Sequence, residues 1–263
     1  MNRPRALLSL LYNYARANAQ GALEYRASLI SQAMGMLLND VLWVVFWTAY
    51  FERFELPGWT REDVIALWAV LAASVGLANV LFGNAMRLAT LIERGELDFY
   101  LTLPKPLLLH ALISRMMLMS IGDLVFGPLS FGIYCHPGLR EWLLFGLAML
   151  TGAAILVSFL VIAGSLAFWL GRAQSIASQL FGVLINFSTY PTAIFGERVR
   201  LLLYTLVPAA LIGTLPVELI KSARPVLAAE LLGAAVLMMA LAGLIFHRGL
   251  RRYESGNLIA MRE

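Results

Sequence analysis

Apolar runs of about twenty residues, separated by short polar connections, organise this chain from residue 29 to residue 246. Six runs, at 29–50, 64–81, 116–134, 142–170, 176–194 and 226–246, have the length of a membrane-spanning helix. A hydrocarbon core of roughly 30 Å needs about 17–25 residues at about 1.5 Å each. The fourth run is long enough to tilt or to extend beyond the membrane. Ahead of them, residues 4–20 put Arg5, Ser9, Asn13, Arg16 and Gln20 on one side of a helix and Leu7, Leu8, Leu11 and Ala15 on the other. That amphipathic pattern suits a helix lying in the membrane surface, with packing onto the protein itself as the alternative. A further apolar stretch, 201–219, is interrupted by Pro208, Gly213, Pro216 and Glu218 and flanked by Arg198, Arg200, Lys221 and Arg224. A seventh span there would move the arginine-rich tail to the other side. The pattern instead predicts a broken, re-entrant hairpin on the outer side, tolerated at membrane depth where protein or water satisfies its backbone.

Composition agrees with a polytopic membrane protein in one domain: 60% of residues are hydrophobic and 14% charged, with a mean hydropathy of +0.76. Soluble domains average about 25% charged. The pI of 9.4 would suggest nucleic acid in a soluble chain, but arginines beside apolar runs set orientation instead, and no nucleic-acid partner is expected. With the N-terminus cytoplasmic, the inner segments hold 13 of the 20 basic residues, which favours both termini inside. Residues 6–11 form too short an apolar run for a cleavable signal peptide. Cys135 stands alone, so there is no disulfide framework and no cysteine-rich metal site. The two lysines, Lys105 and Lys221, sit outside any GxxxxGK[ST] context, so nucleotide hydrolysis must belong to another chain. His110, His136 and His247 lie in separate boundary regions without metal-ligand spacing, and no G-x-S-x-G elbow exists. The chain is not expected to be an enzyme or to hold a cofactor. No internal repeat is visible, which weakens an inverted-repeat carrier.

The longest polar interruption in the first half is 87–115. Leu88, Leu91 and Ile92 continue the second run's apolar face, and Gly95 supplies a helix stop. Glu96 and Asp98 open a short second segment with Leu97, Leu101 and Phe99 or Tyr100 as its apolar side; Pro104 ends it, and Pro106 can begin the next helix. Such a helix, with acidic and aromatic groups exposed, fits a cleft on a partner protein; a solvated loop is the plain alternative. Within the spans, Asp40 stands about eleven residues into the first run, near mid-bilayer, and Asn186 lies at comparable depth in the fifth. These two with Asp123 are candidates for a translocation path, and hydrogen bonding between helices is the competing role. Gly122, Gly127 and Pro128 around Asp123 predict a kinked helix closely approached by a neighbour. Glu230 can reach the interface toward Arg224, and Trp43, Phe46, Trp47, Tyr50 and Phe51 form an aromatic belt.

Three segments carry a family resemblance. They are Ile92-Glu93-Arg94-Gly95-Glu96-Leu97-Asp98 followed by Leu103-Pro104 and Pro106; Ser188-Thr189-Tyr190-Pro191 with Ile194-Phe195 and Val207-Pro208-Ala209; and the tail Gly249-Leu250-Arg251-Arg252-Tyr253-Glu254-Ser255-Gly256-Asn257. Together they resemble the permease subunits of ABC-2 type exporters, in the bacterial six-span branch with a Gly-Glu-Leu-Asp loop. The resemblance implies an all-α membrane protein: six transmembrane helices, an N-terminal amphipathic connecting helix (1–26), a cytoplasmic coupling loop (84–110), an outer re-entrant hairpin (196–222) and a cytoplasmic tail (247–263). It implies that Glu93, Arg94, Gly95, Glu96, Leu97, Asp98 and Pro104 contact a separate ABC ATPase, which binds ATP and Mg²⁺. Pro191, Pro208 and Pro216 fall on the outer hairpin and its approach. A second permease, identical or related, completes the assembly in membrane lipid, and a bacterial inner membrane is the implied location. A path lined mostly by apolar and small residues is compatible with a lipid-like or amphipathic substrate, whether lipid, drug or peptide. Lys105, between two prolines, departs from the expected loop. Two other classes stay open: a non-transporting membrane scaffold, and a proton-coupled carrier using Asp40 and Asp123.

Overall fold

The computed structural model describes residues 3–104 and 106–253. Lys105 and the tail residues from Glu254, including Asn257 and Arg262, lie outside the described residues. Helix α1 (Arg3–Glu24) leads through Tyr25 into α2 (Arg26–Phe51). Helix α3 (Arg61–Phe82) opens on a capping box in which Thr60 and Asp63 exchange side-chain-to-backbone hydrogen bonds, satisfying two of the free N–H groups at the helix start. A tighter turn, Gly83–Arg87, links α3 to α4 (Leu88–Glu93), and the loop continues as α5 (Leu97–Leu101) and α6 (Leu107–Ile113). Then come α7 (Ile121–Cys135), α8 (Leu139–Ser165), α9 (Ala167–Leu170) and α10 (Gln174–Ser188). Helices α11 (Glu197–Thr205), α12 (Ala209–Ile212) and α13 (Thr214–Ser222) precede the last long helix, α14 (Pro225–Leu250).

Five helical stretches are long and apolar enough to cross a membrane: Arg26–Phe51, Arg61–Glu93, Leu118–Cys135, Leu139–Leu170 and Pro225–Leu250. By length and hydropathy alone, the bent pair Glu197–Thr205 and Ala209–Ser222, which meet at 73°, counts as a sixth if it is taken as one crossing. The chain is thus an all-α integral membrane protein, with no strand among the described residues. The fifth apolar run differs from its expected extent. Its helix has 15 residues, about 22 Å, and ends at Ser188. Pro191 has no N–H to continue a ladder, and the chain passes extended through it into a single turn at Thr192–Ile194.

The bundle is built around α3, which is buried along most of its length, with α7 and α8 against it. Small residues make this possible. A Cβ on Gly76 would lie 2.4 Å from the Leu124 amide nitrogen, and one on Gly127 2.4 Å from the Ala69 carbonyl oxygen, so α3 and α7 touch backbone to backbone. Dispersion attraction across such a close approach replaces the hydrophobic drive that lipid cannot supply. By contrast α2 and α14 leave rows of large apolar side chains uncovered, including Leu38, Leu42 and Val45 on the first and Val236, Leu237 and Leu244 on the second. On spanning helices these rows are what lipid tails or a partner helix would cover.

Contacts define two ends of the bundle. At one end Lys221 Nζ binds Asp63 Oδ2 at 2.6 Å and the Gly58 carbonyl at 3.2 Å, and Cys135 Sγ reaches the Glu62 carbonyl. At the other, the 87–115 stretch meets α1, the start of α10 and the end of α14. The bent pair sits at the first end, with its corner dipping inward: Ile212 comes against Gly152, about 20 Å along α8. Its freed backbone groups find partners there. The Thr192 N–H donates to Thr214 Oγ1, and Ser188 Oγ donates to the Ala209 carbonyl.

Candidate functional site

The loop end is held by a few polar residues that replace missing helix hydrogen bonds. Between α3 and α4 the tighter turn interrupts the ladder, so the Thr90 N–H does not take the Met86 carbonyl four residues earlier. Gln174, from the start of α10, fills the gap. Its Nε2 donates to the Met86 carbonyl at 3.0 Å, and its Oε1 accepts from the Thr90 N–H and hydroxyl at 3.2 and 2.9 Å. One amide side chain thereby stands in for the broken rung, a recognised cause of helix breaks. Glu93 completes the same junction from the other side. Its Oε1 accepts from the N–H groups of Ala173 and Gln174 at 2.6 and 2.9 Å, placing a negative charge on the free donors and positive dipole end of α10.

Directly after Glu93, α4 ends at Gly95, whose φ of +71° only glycine adopts freely. The Glu96 N–H bonds the Leu91 carbonyl and the Gly95 N–H bonds the Ile92 carbonyl, the pair of bonds of a Schellman stop. Leu97 is fully buried beneath the turn. Asp98 faces Tyr253 at the end of α14; burial first, and then the Asp98 carboxylate, push the Tyr253 phenol up. Tyr253 also meets Phe168, which in turn lies against Gly249 and Phe246. What remains exposed is Arg94, Glu96, Phe99 and Leu101, with Pro104 at the loop's far end. The Arg94–Glu96 pair, at 3.9 Å and solvent-exposed, adds little stability. Of the seven residues expected to meet a partner, Glu93, Gly95 and Leu97 therefore serve the bundle itself, and Asp98 is shared with the end of α14.

Helix α1 docks on this loop. Asn18 accepts from the Met116 N–H at 3.1 Å, and Tyr14 shares a hydrogen bond with His110, which is buried. Burial and the nearby Tyr100 push the Tyr14 phenol up. Tyr100 bonds Ser114, and Asn84 Nδ2 donates to the Ala111 carbonyl and to Ser114 Oγ. His110 was legible only as a boundary histidine. Its place at the junction of α1, α5 and α6 needs residues 96 positions apart to meet.

At membrane depth the structure brings Asp40 and Asp123 together and leaves Asn186 apart. Both carboxylates line a cavity of about 390 Å³ between α2, α3, α7 and α10, while Asn186 is on the exposed face of α10. Pro191, Pro208 and Pro216 are all buried at the other end. Pro208 lies at the corner between α11 and α12, and Pro216 in the first turn of α13. No group of three or more His, Cys, Asp or Glu residues able to hold a metal ion occurs among the described residues.

The bundle of membrane helices carries a short, latched loop helix between its second and third crossings. A family model described as ABC-2 family transporter protein matches residues 36–256. The chain belongs to the ABC-2 transporter family. As an ABC-2 protein it is a membrane permease of an ABC transporter, the transport component rather than a catalytic one, and membership implies an ABC ATPase as its partner. The match begins within α2 and takes in the whole loop, the bent pair and the end of α14, so α1, the first ten residues of α2 and the last residues of the tail lie beyond it. No curated protein and no solved structure matches this permease.

Proposed function

We propose that this permease couples ATP hydrolysis on a separate ATPase to export across a bacterial inner membrane, and that its 93–104 loop is the coupling element, on the cytoplasmic side. The observation that carries this reading is the double attachment of the loop. Its exposed face, Glu96, Phe99 and Leu101, is free for a partner, while Glu93 grips the start of α10 and Asp98 faces the end of α14. A push on α5 would be passed to two helices at once, and rigid, hydrogen-bonded junctions transmit such displacement better than a solvated loop. Helix α10 carries that motion toward the bent pair, which we read as an outer re-entrant hairpin, through the Ser188 contact with Ala209. Asp40 and Asp123 belong to the path along which cargo moves, in an assembly of two permeases and two ATPases.

Purification of the full chain from its native membrane tests this. A stoichiometric ATPase with its own phosphate-binding loop should co-purify and be lost on combined Glu96→Lys and Phe99→Ala substitution, with the permease still folded. Recovery without any nucleotide-binding partner, or binding unchanged by the double substitution, would overturn the coupling role. Partner binding without ATP-dependent cargo movement would instead identify a scaffold.

A further inference from the structure

We propose that the cavity between α2, α3, α7 and α10 binds an amphipathic organic cation, a positively charged nitrogen or phosphorus centre carrying apolar substituents, between Asp40, Asp123 and Trp68. This rests on the exporter reading only for the direction in which such a ligand would move.

Several independent features converge on the cavity. Asp40 is 4% exposed, and its Oδ2 has no hydrogen-bond partner among the described residues. Asp123 is close enough to act on Asp40 electrostatically, so two carboxylates share one space in a low-dielectric setting. No basic side chain lines the cavity among the described residues. Carboxylates in such a place are costly without a compensating positive charge. The ion pairs of the described residues lie elsewhere, at Arg61–Glu62, Arg94–Glu96 and Lys221–Asp63.

The remaining walls suit the apolar part of a ligand. Trp68, Leu71, Val75, Met36 and Ile185 line the same space. Trp68 packs against Trp43 with ring centroids 5.1 Å apart and planes tilted by 32°, and its indole N–H also has no partner among the described residues. An indole face attracts cations through its quadrupole, more strongly where water is excluded. The largely apolar lining suits an organic cation better than a hydrated metal ion, which would set its water shell against Leu71, Val75 and Ile185. A volume of about 390 Å³ lies within the roughly 300–1,000 Å³ of small-molecule sites.

A second space adjoins the cavity. Gln32 lines both it and a second, wider cleft of about 600 Å³ between α1, α2 and residues 114–119, at the loop end. Tyr14, Asn18, Tyr25 and Ser28 line that cleft, a polar and aromatic vestibule of the kind an amphiphile crosses between interface and core. Arg115 stands at its rim, exposed to solvent, where its charge is screened.

Equilibrium binding of tetraphenylphosphonium to the purified full-length permease in a neutral detergent tests the proposal, with tetraphenylborate as the anion of matching shape. Saturable binding of the cation and none of the anion is expected, with affinity falling at least tenfold in Asp40→Asn and in Asp123→Asn. Gly35 lines the cavity, and a Cβ there would meet nothing within 4 Å, so Gly35→Leu should narrow the space and abolish binding even if an Asp variant misfolds. Equal binding of anion and cation, an unsaturable cation signal, or wild-type affinity in Gly35→Leu would overturn the proposal. Saturable binding in a protein that shows no ATP-driven transport would leave the site standing and reject the exporter reading alone.

Discussion

Glu93 is the residue on which the loop's two duties meet, since it closes α4 and caps α10 with a single oxygen. Replacing it by alanine leaves two donors at the start of α10 unsatisfied, at a cost of about 1–2 kcal/mol. Glu93→Gln keeps an acceptor but loses the charge that favours the helix dipole, and should cost less. Gln174→Leu should weaken the same junction by reopening the Met86–Thr90 gap. Thermal denaturation in detergent should rank Glu93→Ala below Glu93→Gln, and both alanine at 93 and leucine at 174 should lower ATP-driven transport more than ATPase binding. Equal melting temperatures for all three and wild type would show that the junction does not hold the loop. The sequence offered Glu93 only as part of a loop motif. Its partner lies 80 positions away, and nothing in either local pattern announces that Gln174 would enter another helix's ladder.

For the elements, the decisive contact is α3 on α7. Helix positions of Gly122, Gly127 and Pro128 already signalled a close approach, because glycine at membrane depth is used where backbones meet. Which neighbour approaches was settled by packing: the Ala69 carbonyl faces Gly127, and the Leu124 backbone faces Gly76. Gly127→Leu should therefore destabilise by about 1–3 kcal/mol or more through overpacking, whereas leucine at Gly146, where a Cβ meets nothing within 4 Å, should be tolerated. Measured melting curves for the two variants check this, and similar curves would contradict the backbone contact. The short α10 marks the opposite case. Apolar character continues to Ile194, so hydropathy extends the span, but Pro191 and the hydrogen bonds of Thr192 to the bent pair stop the helix at Ser188. Hydropathy reports what lipid tolerates, and proline chemistry decides where the ladder ends.

Across the whole molecule, the contacts separate a loop end from a hairpin end, and the basic residues favour the loop end on the cytoplasmic side. In a Cys135→Ser background, Phe99→Cys should react with a membrane-impermeant maleimide only from the inside and Glu55→Cys only from the outside; labelling of both from one side of sealed vesicles would refute this orientation. The sequence by itself determined that the chain spans a membrane as helices, carries a loop with a glycine stop after its second crossing and interrupts its helix near Pro208. Each follows from local physics: the cost of polar backbone in lipid, the freedom of glycine, the missing proline N–H. Only the tertiary structure decided that Asp40 shares a cavity with Asp123 and not with Asn186, that Asp98 faces Tyr253 and that Glu93 points into the bundle. Periodicity fixes which residues share a face of one helix. How that helix is rotated, and what the face meets, depends on side chains far apart in the chain, and those are chosen only when the helices pack.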